Sequence, residues 1–173
     1  MKIRSSLGTF LVLAALPLIG LSQLVQRAQR APQRSQVTEI QVPGKSSRAR
    51  IWTETADGRE VPWYSLSLDG QSFHEPRATD YDLRLRYRQF DPRRGDVQPA
   101  ADLRAPARSR LYVVQYWTQP IEDYRAVVRR LGGEIHRFLP LTANLVEMDP
   151  IARATVEKLP FVRLLYSSAK DML

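Results

Sequence analysis

The chain has no cysteine and only two histidines among its 173 residues. Without cysteine it can form neither a disulfide scaffold nor a zinc site built from thiolates. His74 and His136 do not stand at metal-ligand spacing with a carboxylate on a helix, so we expect both to be ordinary surface or sheet residues. The sequence therefore predicts no metal site and no cofactor.

Motifs of catalysis are also missing from the sequence. It contains neither the G-x-S-x-G turn that presents a nucleophilic serine nor a glycine-rich loop that holds phosphates. Acid/base catalysis needs two carboxylates in one cleft, and the adjacent pair Glu122 and Asp123 is better explained as the start of a helix. We expect a protein that is not an enzyme.

The net charge of +8 raises the question of nucleic-acid binding. Most of the excess lies outside the best-patterned part, because residues 110–173 hold 9 basic and 7 acidic residues whereas residues 1–109 hold 17 and 11. The run LYVVQYWTQP (Leu111–Pro120) passes loosely for the hexamer motif of an RNA-recognition domain. The third strand of such a domain needs aromatic and basic residues, and ANLVEMD has none. We expect a solvated basic surface and no nucleic-acid partner.

The first 22 residues have the pattern of a targeting segment. Lys2 and Arg4 precede the apolar stretch LGTFLVLAALPLIGLSQLV, and Gly20 and Ser22 stand where a signal peptidase requires small residues. Residues 1–22 therefore predict a signal peptide, with an uncleaved membrane anchor as the alternative. Either reading predicts an exported protein that is periplasmic, envelope-bound or extracellular, with membrane contact only through an uncleaved segment.

The rest of the chain divides by composition into four parts. Residues 23–47 are rich in Gln, Arg and Ser without a sustained period and predict a flexible linker. Residues 48–90 hold three strand-like runs separated by turn residues and predict a small β-rich segment. Residues 91–109 return to Pro, Arg and Ala and predict a second linker. Residues 110–173 carry the most regular pattern and predict a domain.

This last part alternates between strand and helix signals. The predicted strands are Leu111–Thr118, Glu134–Leu139, Ala143–Met148 and Phe161–Tyr166. A first helix over Ile121–Leu131 is ended by Gly132-Gly133. A second helix is started by the cap Asp149 followed by Pro150, buries Ala152, Val156 and Leu159, and is stopped by Pro160.

The order β-α-β-β-α-β predicts an α+β fold, a ferredoxin-like sandwich over about residues 110–168. In that layout both helices cover one sheet face and leave the other bare. The strand Leu111–Thr118, however, is apolar at nearly every position and therefore on both faces. We expect the second face to be either a binding surface or a core shared with residues 48–90.

Several short motifs occur in series from residue 88 to residue 166. They are FDP-x-RG (Phe90–Gly95), TQP-x-E-x-YR, GG-x-x-HRFLP, A-x-LV-x-MDP and LPFVR. In this order they resemble the N-terminal propeptide of exported bacterial subtilisin-family serine proteases. The resemblance covers about half of the chain.

The resemblance implies a folding template and tight inhibitor of a subtilisin-type serine protease. Such propeptides lay an open sheet face across two surface helices of the protease, cap those helices from the sheet edge, and extend their tail along the active-site cleft. The residues so implied are Tyr112, Val114 and Tyr116 (or their odd-numbered neighbours) on the face, Leu141, Thr142 and Asn144 at the edge, and Tyr166, Ser167 and Ser168 in the tail.

The sequence departs from this family in two ways. After LPFVR the family continues with a Trp-Val-Gly-Pro-Tyr-like run, whereas this chain has LLYSSAKDML, and no protease domain follows. We therefore expect a free-standing propeptide-like inhibitor or chaperone, a truncated precursor or a relic. The alternatives are a non-enzymatic envelope or extracellular structural protein that works through residues 48–90, and a basic nucleic-acid binder, against which export argues.

Overall fold

The computed structural model describes residues 32–85, 89–94 and 109–167. The predicted signal peptide or anchor, most of the second linker and Ser168 lie outside the described residues. No helix within the described ranges is both long and apolar enough to cross a membrane.

The first sheet is built from residues 33–78. Its strands are β1 (Gln33–Arg34), β2 (Thr38–Gln41), β3 (Arg48–Ala56), β4 (Arg59–Ser67) and β5 (Arg77–Ala78). The hairpin β3–β4 pairs along its whole length across an Asp57-Gly58 turn in which both residues have positive φ, 52° and 73°. Asp-Gly is a favoured pair for such two-residue turns. Strands β1 and β2 lie within the stretch interpreted as a linker, and both pair with β3.

The second sheet is built from residues 111–167 and carries two helices. Its elements are β8 (Leu111–Tyr116), α1 (Glu122–Arg130), β9 (Glu134–Leu139), β10 (Ala143–Glu147), α2 (Pro150–Val156) and β11 (Val162–Ser167). The strands are antiparallel in the order β11-β8-β10-β9. A separate hairpin, β6 (Leu83–Arg84) with β7 (Gln89–Phe90), lies between the two sheets in the chain.

The ends of the helices follow from local chemistry. The Asp149 side chain accepts a hydrogen bond from the backbone N–H of Ala152 at 2.7 Å, and Pro150 occupies the first turn of α2. After α1 the chain needs glycine, because a Cβ on Gly133 would lie 2.6 Å from Cγ1 of Val128. These are the start and stop signals that the sequence pattern predicted.

The prediction of an α+β, ferredoxin-like fold is wrong. Strands account for 45% of the described residues and helices for 13%, and the strands form three antiparallel sheets. The physical reason is that the first sheet does not fold apart from the rest. Its side chains Ile40, Val42 and Tyr64 share one hydrophobic core with Tyr124 of α1 and Val156 of α2. The elements β8 to β11 are therefore part of a larger β-rich structure and not a two-layer sandwich.

The second face of the β8–β11 sheet is covered by the chain itself. Leu83 of the small hairpin lies in one buried cluster with sheet residues Val113 and Leu145, and Leu85 and Phe90 pack against the same cluster. We call residues 81–85 and 89–94 the covering segment. Of the two expectations for this face, the shared core is the one observed.

The centre of the main core is aromatic. The rings of Tyr124 and Phe161 stack with their centroids 4.3 Å apart, and the Tyr116 ring lies 5.5 Å from Tyr124. All three side chains have no exposed surface. Stacking adds to the burial of large apolar area, so this cluster should dominate the stability of the fold.

Truncating Phe161 should therefore lower the free energy of unfolding much more than truncating an exposed phenylalanine. We expect Phe161→Ala to lower the free energy of unfolding by about 3–5 kcal/mol, because it leaves a cavity against Tyr124. The matched control is Phe138→Ala, since Phe138 is 54% exposed, and it should change stability by about 0.5 kcal/mol or less. Urea unfolding of both variants measures the difference; similar losses would contradict the position of the core.

Candidate protein-binding surface

The side chains predicted to form the docking face are buried. Val114 and Tyr116 have no exposed surface and belong to the core shared with the helices, and Tyr112 is half-buried against that core. The odd-numbered alternatives Val113 and Gln115 are also fully buried, on the opposite face. In this conformation neither side of β8 presents an apolar surface to a partner.

Burial shapes the chemistry of Tyr116 as well. It raises the pKa of the phenol well above its ordinary value. The hydroxyl has no hydrogen-bond partner among the described residues. Tyr116 is therefore a neutral core residue at physiological pH.

A buried ion pair holds the covering segment on the second sheet face. The guanidinium of Arg163 donates to both carboxylate oxygens of Asp91, each at 2.8 Å. The two side chains are only 5% and 6% exposed. Arg163 also donates to Oε1 of Gln115 at 2.6 Å, and the amide of Gln115 donates to the backbone carbonyl of Tyr81 at 2.8 Å. Sheet and covering segment are thus joined through one polar network.

Aromatic rings surround this network. The Arg163 guanidinium lies 4.2 Å from the centroid of the Tyr81 ring, and the Tyr81 hydroxyl donates to the carbonyl of Trp117 at 3.1 Å. Burial raises the pKa of Tyr81 to about 12, although Arg163 and Arg93 oppose the shift, so the phenol keeps its proton. Arg93 donates to the Arg163 carbonyl at 2.7 Å and lies over the Trp117 ring. These contacts surround the charge of Arg163, although its Nε has no hydrogen-bond partner among the described residues.

The ion pair joins two of the motifs that carry the resemblance. Asp91 belongs to FDP-x-RG and Arg163 to LPFVR, 72 positions further along the chain. Spacing alone gave no sign of this contact, since the sequence assigned Asp91 to a linker. The only indication in the sequence was that both residues belong to motifs of the resemblance.

The β9–β10 turn contains an unusual backbone. Leu141 has a φ of 73°, and the N–H of Thr142 donates to the carbonyl of Pro140 at 3.2 Å, which makes a tight three-residue turn. The carbonyl of Thr142 accepts from the N–H of Tyr116 at 2.7 Å, so β8 fixes the end of the turn. Leu141 itself is half-buried at this end of the sheet.

The other predicted edge residues point inward. Thr142 is 2% exposed and Asn144 is 1% exposed. The Asn144 amide donates to the carbonyl of Arg137 at 3.4 Å, whereas its Oδ1 has no partner among the described residues. Of the three predicted edge residues, Leu141 is therefore the one with accessible surface.

The predicted tail leaves from an edge strand. Strand β11 lies at one side of the sheet order, and β8 is the strand that pairs with it. The Tyr166 ring packs against Phe90 of the covering segment, with centroids 5.6 Å apart, and Ser167 is exposed. Ser168 lies outside the described residues.

The structure does not bring the turn and the tail together. Thr142 of the turn is hydrogen-bonded to Tyr116 at one end of β8. Ser167, where the tail begins, pairs with Tyr112 near the other end. Four residues of strand separate these positions by about 14 Å at 3.4 Å per residue. A partner that contacts both must extend along the strand.

Sequence reasoning missed a groove on the first sheet. It has a volume of about 600 Å³. The Arg34 guanidinium lies 4.7 Å from the Trp52 ring centroid and that of Arg50 lies 3.8 Å from the Phe73 centroid. We call this the arginine–aromatic groove. Its residues come from separate runs that showed no common pattern.

No protein-family model matches the chain, and no match is found among curated proteins or solved structures. The resemblance to subtilisin-family propeptides therefore depends on the motifs quoted above. The contact between two of those motifs is a property of this fold and can be tested directly.

We expect Asp91→Asn to destabilise the protein strongly. Removing the carboxylate charge leaves Arg163 buried without a counter-ion, which costs about 3–5 kcal/mol when one partner of such a pair is lost. The matched control is Asp80→Asn, because Asp80 pairs with Arg84 at the exposed surface and should lose about 1 kcal/mol or less. Urea unfolding gives both values; equal effects would mean that the ion pair does not hold the covering segment.

Proposed function

We propose that the chain is a non-enzymatic, propeptide-like domain that binds a subtilisin-type serine protease. It acts on a separate protease, or within a longer precursor, as an inhibitor and as a folding template. We assign the contact to the β9–β10 turn and to the chain that follows β11. The sheet face is excluded from this contact because the covering segment occupies it.

The observation that carries the proposal is the positive φ of Leu141. Among the described non-glycine residues, positive φ occurs at Asp57 and Leu141. Asp57 belongs to a hairpin turn that favours this geometry, whereas a leucine held there costs about 1–2 kcal/mol. Backbone strain of this kind persists where the surrounding structure imposes it, and it clusters at binding sites. Leu141 lies in the turn to which the resemblance assigns the edge contact.

The edge position of β11 supports the second part of the contact. An edge strand offers backbone groups that pair with an extended segment, and the chain beyond such a strand can itself continue in extended form. A protease cleft of the subtilisin type binds an extended segment, which the resemblance assigns to the tail. Ser167, at the end of β11, is exposed.

Leu141→Gly tests the turn. Glycine adopts positive φ at no steric cost and removes the side chain, so we expect binding to weaken by about tenfold or more while the free energy of unfolding changes by about 1 kcal/mol or less. Inhibition of peptide hydrolysis by a panel of purified subtilisin-type proteases measures binding. Size-exclusion chromatography with the inactivated protease measures the complex, and urea unfolding measures stability.

The matched control is Leu68→Gly, because Leu68 is an exposed leucine that directly follows β4. This variant should inhibit like the wild type. If the full chain neither inhibits nor binds any protease of the panel, the proposal is wrong. A structural role in the envelope, with the arginine–aromatic groove as the working surface, would then be favoured. If Leu141→Gly binds normally, the turn is not the contact.

A further inference from the structure

Three potential metal ligands converge at the end of the β9–β10 hairpin opposite Leu141. Glu134 at the start of β9 is paired in register with Glu147 at the end of β10. His136 follows two residues after Glu134 on β9. One ligand atom from each of the three side chains lies within 4.8 Å of the other two.

A β-bulge lies at this histidine. The register of β9 against β10 shifts between Leu145 and Val146, which makes His136 the extra residue of β9. Glu134 and His136 stand two residues apart on one strand, a spacing that places side chains on the same face, and the bulge interrupts the alternation at His136. Nε2 of His136 lies 3.2 Å from Oε2 of Glu147, and Nδ1 lies 4.0 Å from Oε1 of Glu134.

The charges of this group are unbalanced. Other ion pairs between described residues join a carboxylate to arginine or lysine, as in Glu39 with Arg50. Glu134 and Glu147 have neither within 4.0 Å in the described part of the chain, and His136 is their shared neighbour. The two carboxylates each place one oxygen within 4.8 Å of the other and of the imidazole. A divalent cation would compensate both carboxylates.

We propose that Glu134, His136 and Glu147 bind a divalent first-row transition ion such as Zn²⁺. One imidazole nitrogen and two carboxylate oxygens are ligands that Zn²⁺ accepts at about 2.0–2.2 Å. Two such atoms around a tetrahedral ion lie roughly 3.3 Å apart, and Nε2 of His136 and Oε2 of Glu147, which share a hydrogen bond in this structure, lie 3.2 Å apart. Water completes the coordination because the site is at the surface. The ion cross-links β9 to β10.

This site is independent of the proposed protease contact. It occupies the other end of the hairpin and needs no protease for its test. Spacing along the sequence did not indicate this site, because its ligands come from two strands.

Titration of ZnCl₂ into the full chain, followed by calorimetry, tests the proposal. We expect saturable binding of one ion, a loss of affinity of about tenfold or more in His136→Ala, and wild-type affinity in His74→Ala. His74 is the matched control because it is the other histidine of the chain. Zinc should also raise the melting temperature of the wild type with increasing concentration, and should not raise that of His136→Ala.

Two results would overturn the site. One is the absence of saturable zinc binding by the wild type, and the other is equal binding by His136→Ala. His136 is exposed, so this variant should fold, and His136→Asn with circular dichroism provides a second check. Glu147→Gln should also bind zinc more weakly. If this variant binds zinc with wild-type affinity, Glu147 of β10 is not a ligand and the ion does not cross-link the two strands.

Discussion

The ion pair between Arg163 and Asp91 holds the covering segment on one face of the second sheet. Two charges with 5% and 6% exposed side chains would be costly in isolation. Here the two terminal nitrogens of the guanidinium donate to both oxygens of Asp91 and to Gln115, and the group faces the ring of Tyr81. Because those partners come from β8 and from the covering segment, the charge is satisfied only when the segment lies on the sheet. The apolar contacts of Leu83 and Phe90 then close the face.

This closure changes how a protease contact can be built. A propeptide that docks through an open sheet face relies on burial of apolar area. In this chain that area is already buried within the molecule, and burying it a second time would first require removal of the covering segment. The proposed contact therefore uses the strained turn at Leu141 and the edge strand β11. A contact of this kind depends on shape and on backbone pairing more than on area.

The ends of the helices could be predicted from the sequence, whereas the contacts between distant residues could not. The helix start at Asp149 and Pro150 and the stop at Gly133 were predictable, because caps and stops act within one turn. The fold class was not, because no local pattern shows that Ile40, Val42 and Tyr64 share a core with the helices. The alternation of residues in β8 indicated that both faces are apolar, but it contained no information on which element covers each face.

The sequence by itself determined the local elements, the apolar character of both faces of β8 and the basic charge. These follow from short-range backbone preferences and from composition. Only the tertiary structure decided that residues 81–85 and 89–94 cover the second face, that Asp91 meets Arg163, and that His136 lies beside Glu134 and Glu147. Each of these depends on contacts between residues far apart in the chain, and such contacts produce no periodic pattern in the sequence. A sequence pattern can therefore indicate that a residue is buried, but it cannot indicate which residues bury it.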